Sequence, residues 1–183
     1  MNRTGPTRQS GATDSKRAGE LVEQAFSRHQ DQLLGMLYYL VGNGEDAHDA
    51  LQEAFIKCWR RLDSVAEVQN LRAWIFRIAL NVGRDLRSSA WRRRRRPLAA
   101  DESLPAAQGP SPEAELGARD QIELVRRAVL DLRTEEQEVF LLRQDGEMTY
   151  DQIAQVIGIP VGTVKTRMRL ALAKLREAIP TGE

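Results

Sequence analysis

One cysteine, Cys58, and two histidines, His29 and His48, are all that 183 residues contain of the usual soft metal ligands. A lone cysteine excludes an intrachain disulfide and every paired-cysteine metal motif, and the histidine spacing fits no standard zinc site. Aromatic residues make up only 5% of the chain, a composition that suits small helix bundles better than β-sandwiches. No apolar run approaches the ~20 residues that span a bilayer. Residues 1–16 are polar and rich in Gly, Ser and Thr, without the apolar centre of a signal peptide. No glycine-rich phosphate loop occurs, and the carboxylates of Asp46, Asp49 and Glu53 have no histidine base beside them in pattern. The expectation is a soluble, cytoplasmic protein with a disordered leader over 1–16, no membrane insertion, no metal, no cofactor and no catalytic residues.

What is present is unevenly distributed charge. The net charge of +1 predicts no partner by itself. From Arg72 to Arg96, however, there are nine arginines and one acid, Asp85, whereas between Asp101 and Asp120 the acids outnumber one base, Arg119. A basic segment of that kind suits nucleic acid, with an acidic segment set apart from it.

Apolar periodicity is helical throughout, with no strand pattern and no repeat. Leu21, Ala25, Leu33, Leu37 and Leu40 predict a first helix over about 17–40, closed by Gly42-Asn43-Gly44. A second helix to about Leu62 carries the stripe Ala47, Ala50, Leu51, Ala54, Phe55, Cys58, Trp59 and Leu62, with Glu45 and Asp46 in a first turn where the dipole favours acids. Cys58 and Trp59 are assigned to the core on that stripe. A loop over 63–69 follows. Asn70 caps a third helix whose buried face is Leu71, Trp74, Ile75, Ile78, Ala79, Val82 and Leu86. At 100° per residue, Arg77, Asn81, Arg84, Arg87 and Ser88 collect on its opposite face. This helix continues into Arg92–Arg96 and stops before Pro97.

Residues 97–113 hold Pro97, Pro105, Pro110 and Gly109 without periodicity and form the expected linker. Ser111-Pro112 starts a new helix with Leu116, Ile122, Val125, Val129 and Leu132 as its apolar positions. Thr134-Glu135-Glu136-Gln137 and Thr149-Tyr150-Asp151-Gln152 read as capping boxes. The second opens a short helix ended by Gly158, and Pro160-Val161 opens a last helix to about Ile179. That last helix buries Val161, Val164, Met168, Ala171, Leu172 and Leu175. It exposes Lys165, Arg167, Arg169, Lys174 and Arg176, with no acid before Glu177. Thr163, Thr166, Leu170 and Ala173 point most directly outward. This is the layout of a helix-turn-helix, whose second helix suits a major groove. A basic helix is also an ordinary solvated surface, so this feature alone leaves both readings open. The capping box, the glycine turn and the acid-free run favour DNA.

Three motifs are more specific. Asp49-Ala50-Leu51-Gln52-Glu53-Ala54-Phe55 resembles the DxxQExF signature of sigma factor region 2. Arg72 to Asn81, RAWIFRIALN, resembles the RAWLxRIAxN segment of the same region. Ile159 to Arg167, IPVGTVKTR, resembles the region 4 pattern IPxGTVKSR. Their order and spacing are similar to the extracytoplasmic-function (ECF) subfamily of bacterial RNA polymerase sigma factors, over roughly residues 20–177. The resemblance implies an all-α fold of two small helical domains joined by a flexible linker: a region 2 bundle over 17–96, the linker over 97–113, and a region 4 helix-turn-helix over 114–183.

It also implies roles. Asp49, Gln52 and Glu53 correspond to the surface that docks on the β′ coiled coil of core RNA polymerase, whose β subunit is a further partner. Arg77, Asn81, Arg84 and Arg87 correspond to the face that opens the minus-ten promoter element, Asn81 at the pocket for an unstacked base and the arginines on phosphates. Thr163, Lys165, Thr166, Arg167, Arg169 and Leu170 correspond to the minus-thirty-five reader. The acidic linker is expected to thread the polymerase's RNA exit path, and the five-arginine run Arg92–Arg96 to meet phosphates. A sequestering anti-sigma factor is the expected regulator. Two positions depart from the pattern. Leu170 stands where the family often has arginine, and Gly146 lies two residues before Met148 where the family glycine lies directly before the apolar residue. The alternative is a stand-alone helix-turn-helix regulator, which explains the second half of the chain and leaves Asp49, Gln52, Glu53 and the Asn81 face without a purpose.

Overall fold

The structure, a computed structural model, describes residues 9–94 and 124–178. Among them every regular element is helical. The first half contains α1 (Gln9–Arg28), α2 (Gln30–Val41), α3 (Gly44–Trp59), a 3-10 turn (Leu62–Glu67) and α4 (Leu71–Arg94). The second contains α5 (124–130), α6 (Thr134–Gln144), α7 (Tyr150–Ile157) and α8 (Val161–Ala178). The expected linker and the helix start at Ser111, with Leu116 and Ile122, lie outside the described residues.

In the first half α2, α3 and α4 pack against one another, and α1 lies over them with the 3-10 turn. The buried face of α3 is small: Ala47, Ala50, Ala54 and Cys58 are fully buried. Small residues at helical spacing let α3 approach its neighbours closely. Gly83 does the same on α4, where a Cβ would stand 3.2 Å from the side chains of both Leu37 and Leu40. Phe76, Ile75 and Leu80 are fully buried beside Leu33, Met36 and Leu37 in the core cluster. In the second half α6 and α7 pack on α8 around Val139, Leu142, Ile153, Val164, Met168 and Ala171.

The caps explain most boundaries. The Asn43 side chain accepts from the Asp46 amide at 2.8 Å, and Asn70 accepts from Ala73 at 3.0 Å. Thr149 and Gln152 form the expected reciprocal box, at 3.3 and 2.9 Å. Gly42 and Gly158 end α2 and α7 at φ of 92° and 79°, where a Cβ would be strained.

Several expectations need correction. The first helix is two, broken at His29 with no proline or glycine at the break, and it begins at Gln9, inside the segment expected to be a disordered leader. Leu21, Trp59, Val125 and Leu172 are exposed rather than core. The segment after α3 is a 3-10 turn that buries Val65, not a plain loop. The cap of α6 is Arg133, whose amide donates to Glu136 Oε2 at 3.4 Å, so Thr134 already lies inside the helix. Gln137 is then released from capping and is buried elsewhere.

The turn after α6 accounts for the displaced glycine. At Gly146 a Cβ would stand 2.5 Å from the Leu142 carbonyl oxygen, so the chain tolerates only glycine there. The left-handed residue is the next one, Glu147, at φ 45°. Glycine is therefore spent on the close approach, and a glutamate carries a conformation that costs a residue with a Cβ about 1–2 kcal/mol. Glu147→Gly is expected to stabilise the chain by up to about 1 kcal/mol, and Gly146→Ala to destabilise it by about 1–3 kcal/mol. Thermal unfolding of the two variants checks this, and a melting temperature raised by Gly146→Ala would contradict it.

Candidate nucleic-acid interface

Three groups of residues carry the expected chemistry, and the structure treats them differently. On α3, Asp49 and Gln52 are exposed and Glu53 is half-buried, as the stripe predicts. Lys57 lies 3.7 Å from Glu53 and 3.8 Å from Asp85, exposed contacts of small energetic weight. The same helix exposes Ile56 and Trp59, at 40% and 46%. Acids beside a large exposed aromatic form a surface with both charge and an apolar anchor, the composition of protein interfaces. Sequence reasoning missed the anchor because Trp59 follows buried Cys58 and falls near the edge of the stripe.

On α8, Lys165, Thr166, Arg169 and Leu170 are exposed, and Thr163 and Arg167 are half-buried. The Thr166 hydroxyl donates to the Gly162 carbonyl at 3.0 Å, which fixes its rotamer. Lys165 and Arg143 line one shallow cleft of about 370 Å³ with Thr149, Tyr150, Asp151 and Val161. Arg143 donates to the Met148 carbonyl at 2.7 Å and covers the Tyr150 ring at 5.7 Å. It bolts the turn before α7 and adds a cation next to Lys165, a role that its sequence position did not signal.

On α4 the arginine face is turned toward the second half of the chain. Arg84 donates from Nε and Nη2 to the two oxygens of Glu138 on α6, both at 2.6 Å. Glu138 is 2% exposed. The hydrogen bond to Glu138 pushes the Arg84 guanidinium pKa further up, against the desolvation that lowers it. Arg87 donates to Gln137 Oε1 at 2.8 Å. Arg77 donates to the carbonyls of Gln155 and, at 3.1 Å, Val156, in the last turn of α7 where the helix dipole is negative. Asn81 is exposed and only a 3.4 Å contact to Arg84 reaches it. All four residues thus share one face, and three of them hold protein acceptors.

The same junction continues at its other end. Arg72 donates to the Gly146 carbonyl, and Asp145 sits against Gly35 of α2. The Asp145 Oδ2 and Arg72 Nε atoms are buried without a hydrogen-bond partner. Burial pushes the Asp145 carboxyl up from 3.8 to about 6. Gln137, buried beneath, donates to the carbonyls of Val129 and Tyr39 at 3.1 and 3.4 Å and so ties α6 to both halves. No group of His, Cys, Asp and Glu able to hold a metal occurs among the described residues. Cys58 is buried, which pushes its thiol up to about 12 and keeps it unreactive.

Comparison with known proteins gives one answer for both halves. The Sigma-70 region 2 family matches residues 25–96, and the Sigma-70 region 4 family matches residues 122–175. The RNA polymerase sigma-H factor of Pseudomonas aeruginosa is 31% identical over 175 residues, covering 90% of this chain and 85% of the relative. The ECF RNA polymerase sigma factor SigW of Bacillus subtilis is 28% identical over 163 residues, 82% of this chain and 84% of that one. Among solved structures, CnrH in complex with the cytosolic domain of CnrY is 26% identical and superposes with a TM-score of 0.65 over 90% of this chain and 94% of its own.

The pH dependence of the junction follows from Asp145. Its folded pKa lies above its unfolded value, so its contribution is fully present below pH 3.8 and is lost as pH rises through about 6. Asp145→Asn removes this loss. The melting temperature of the variant minus that of the wild type is expected to rise between pH 3.8 and about 6 and then stay constant. A difference independent of pH would show that the carboxyl is not desolvated at the junction.

Proposed function

The chain belongs to the ECF subfamily of RNA polymerase sigma factors, which direct promoter-specific transcription initiation, and from that premise we propose how its residues divide the work. Asp49, Gln52 and Glu53 on α3 dock on core polymerase, with Ile56 and Trp59 as the apolar anchors of the same contact. The carboxylates pair with partner arginines through charge-assisted bonds, and the aromatic excludes water around them. Asn81 contacts the base unstacked from the minus-ten element, while Arg77, Arg84 and Arg87 hold phosphates around it. The observation that carries this assignment is that all four lie on one face of α4, opposite the face that builds the core.

Thr163, Lys165, Thr166, Arg167, Arg169 and Leu170 on α8 read the minus-thirty-five element in the major groove. Arg143 and Lys165 hold a phosphate at the shallow cleft beside α7. Leu170 offers an apolar contact of the kind a thymine methyl accepts, in place of the arginine common in the family. Such a chain has no turnover of its own and works in the cytoplasm. In support, no described helix is long and apolar enough to cross a membrane. A sequestering protein is a further partner. In support, CnrH, which is similar over most of this chain, was solved in complex with the cytosolic domain of CnrY.

Two substitutions separate the roles. Glu53→Lys is expected to abolish copurification with core polymerase while leaving the helical circular dichroism unchanged, because it reverses charge on a solvated face. Asn81→Ala is expected to leave polymerase binding near normal and to lower promoter opening by about tenfold, the loss of roughly one good base contact. Copurification of Glu53→Lys at the wild-type level would overturn the docking assignment.

A further inference from the structure

The outward face of α8 is short of groups that could donate a hydrogen bond to a base. At 100° per residue, Gly162, Thr166, Leu170 and Ala173 form one row opposite the buried stripe of Val164, Met168, Ala171 and Leu175. All four residues of the row are exposed. Gly162 has no side chain, and a Cβ there would meet nothing within 4 Å. Thr166 has one donor, and it is committed to the Gly162 carbonyl at 3.0 Å, which leaves the γ-methyl as its free end. Leu170 and Ala173 end in methyls alone. The row closes at Glu177, an exposed acid that phosphates repel.

Base pairs differ in the major groove by their donors and acceptors and by one apolar feature, the thymine 5-methyl. A row without free donors is suited to the apolar feature. We propose that Thr166 and Leu170 read the 5-methyls of two neighbouring thymines, so that α8 selects A·T pairs at a place where an arginine would select guanine. The proposal deepens, and rests on, the assignment of α8 to the minus-thirty-five element. Residues four apart lie about 6 Å apart along a helix, and successive bases of one strand about 3.4 Å apart, so the two side chains cover about two base steps. Lys165 and Arg169 run exposed along one edge of the row, with Thr163 and Arg167 half-buried along the other. From those edges the cations reach backbone phosphates, which hold the helix in register without reading sequence.

Transcription of a genomic library with the full chain and core polymerase supplies the promoters that it uses. Their minus-thirty-five elements are expected to share two neighbouring A·T pairs. One such promoter is then synthesised with deoxyuridine for each thymine in turn, which removes the 5-methyl and leaves the base pairing unchanged. Two neighbouring substitutions are each expected to lower binding by the holoenzyme about fourfold, the worth of one buried methyl group. Leu170→Ala is expected to abolish the effect at one of these thymines. Thr166→Ser, which keeps the hydroxyl and removes the methyl, is expected to abolish it at the other. Both side chains are exposed, so the melting temperature is expected to stay at the wild-type value. Leu170→Arg is expected to move the preference at its own position to G·C by about tenfold.

Deoxyuridine without effect anywhere in a required element overturns the proposal, and so do elements that share no neighbouring A·T pairs. Sensitivity to deoxyuridine that persists undiminished in Leu170→Ala and Thr166→Ser shows that other residues read the methyls, and overturns it too. Scrambling the whole element separates this reading from the one beneath it. If wild-type transcription is then unchanged, the assignment of α8 to the element has failed and the proposal falls with it. If transcription is abolished while the methyls are inert, the assignment stands and only the methyl reading is lost.

Discussion

The contact between Arg84 and Glu138 governs how the two halves sit. The buried apolar residues of both halves belong to one cluster, and polar contacts along it fix how the halves are set. The polar contacts between them are a bidentate ion pair, an amide, and carbonyls at helix ends. Burying an ion pair costs desolvation that its attraction roughly offsets, so this pair contributes more to the geometry of the junction than to its net free energy. Asp145 weakens it, since its Oδ2 is buried without a hydrogen-bond partner. A junction of this kind fixes one arrangement without making it permanent.

Three adjacent residues on α6 show how one helix serves both purposes. Glu136 faces inward to Lys174 of α8 at 2.6 Å. Gln137 reaches the Val129 and Tyr39 carbonyls as well as Arg87. Glu138 faces across to Arg84. Successive residues on a helix point about 100° apart, so a run of polar side chains distributes itself over the helix's own half, the boundary and the opposite half. The price of burying this run is met by partners for each member, which is why three polar residues can be almost fully buried in a row.

Much of this was legible in the sequence, and the exceptions share a cause. Helical periodicity and local capping chemistry gave α3, α4, α7 and α8 and their faces, because those signals act over a few residues. The face of Arg77, Asn81, Arg84 and Arg87 followed from 100° spacing alone. Contacts made across the chain left no such trace. Thr134-Glu135-Glu136-Gln137 read as a capping box, and nothing local says that Gln137 and Glu138 will meet arginines about fifty residues earlier or that Glu136 will meet Lys174 of α8. Trp59 was placed in the core since an aromatic near a stripe usually belongs there. Its exposure depends on what α1 and the 3-10 turn leave uncovered. The displaced Gly146 was visible as an anomaly, but only the approach of the Leu142 carbonyl explains why glycine is needed there and not at Glu147.

The arrangement does not cover the two kinds of surface equally. Asp49, Gln52, Ile56 and Trp59 of α3 stay exposed, whereas the arginine face of α4 is filled by acceptors from α6 and α7. On the roles proposed above, a phosphate at Arg84 needs the same two guanidinium donors that Glu138 holds, so the two ligands exclude each other there. The surface proposed for polymerase and the surface proposed for DNA therefore differ in what each gives up on binding: water alone on α3, and on α4 a set of protein acceptors that have to find water or other partners when they are displaced.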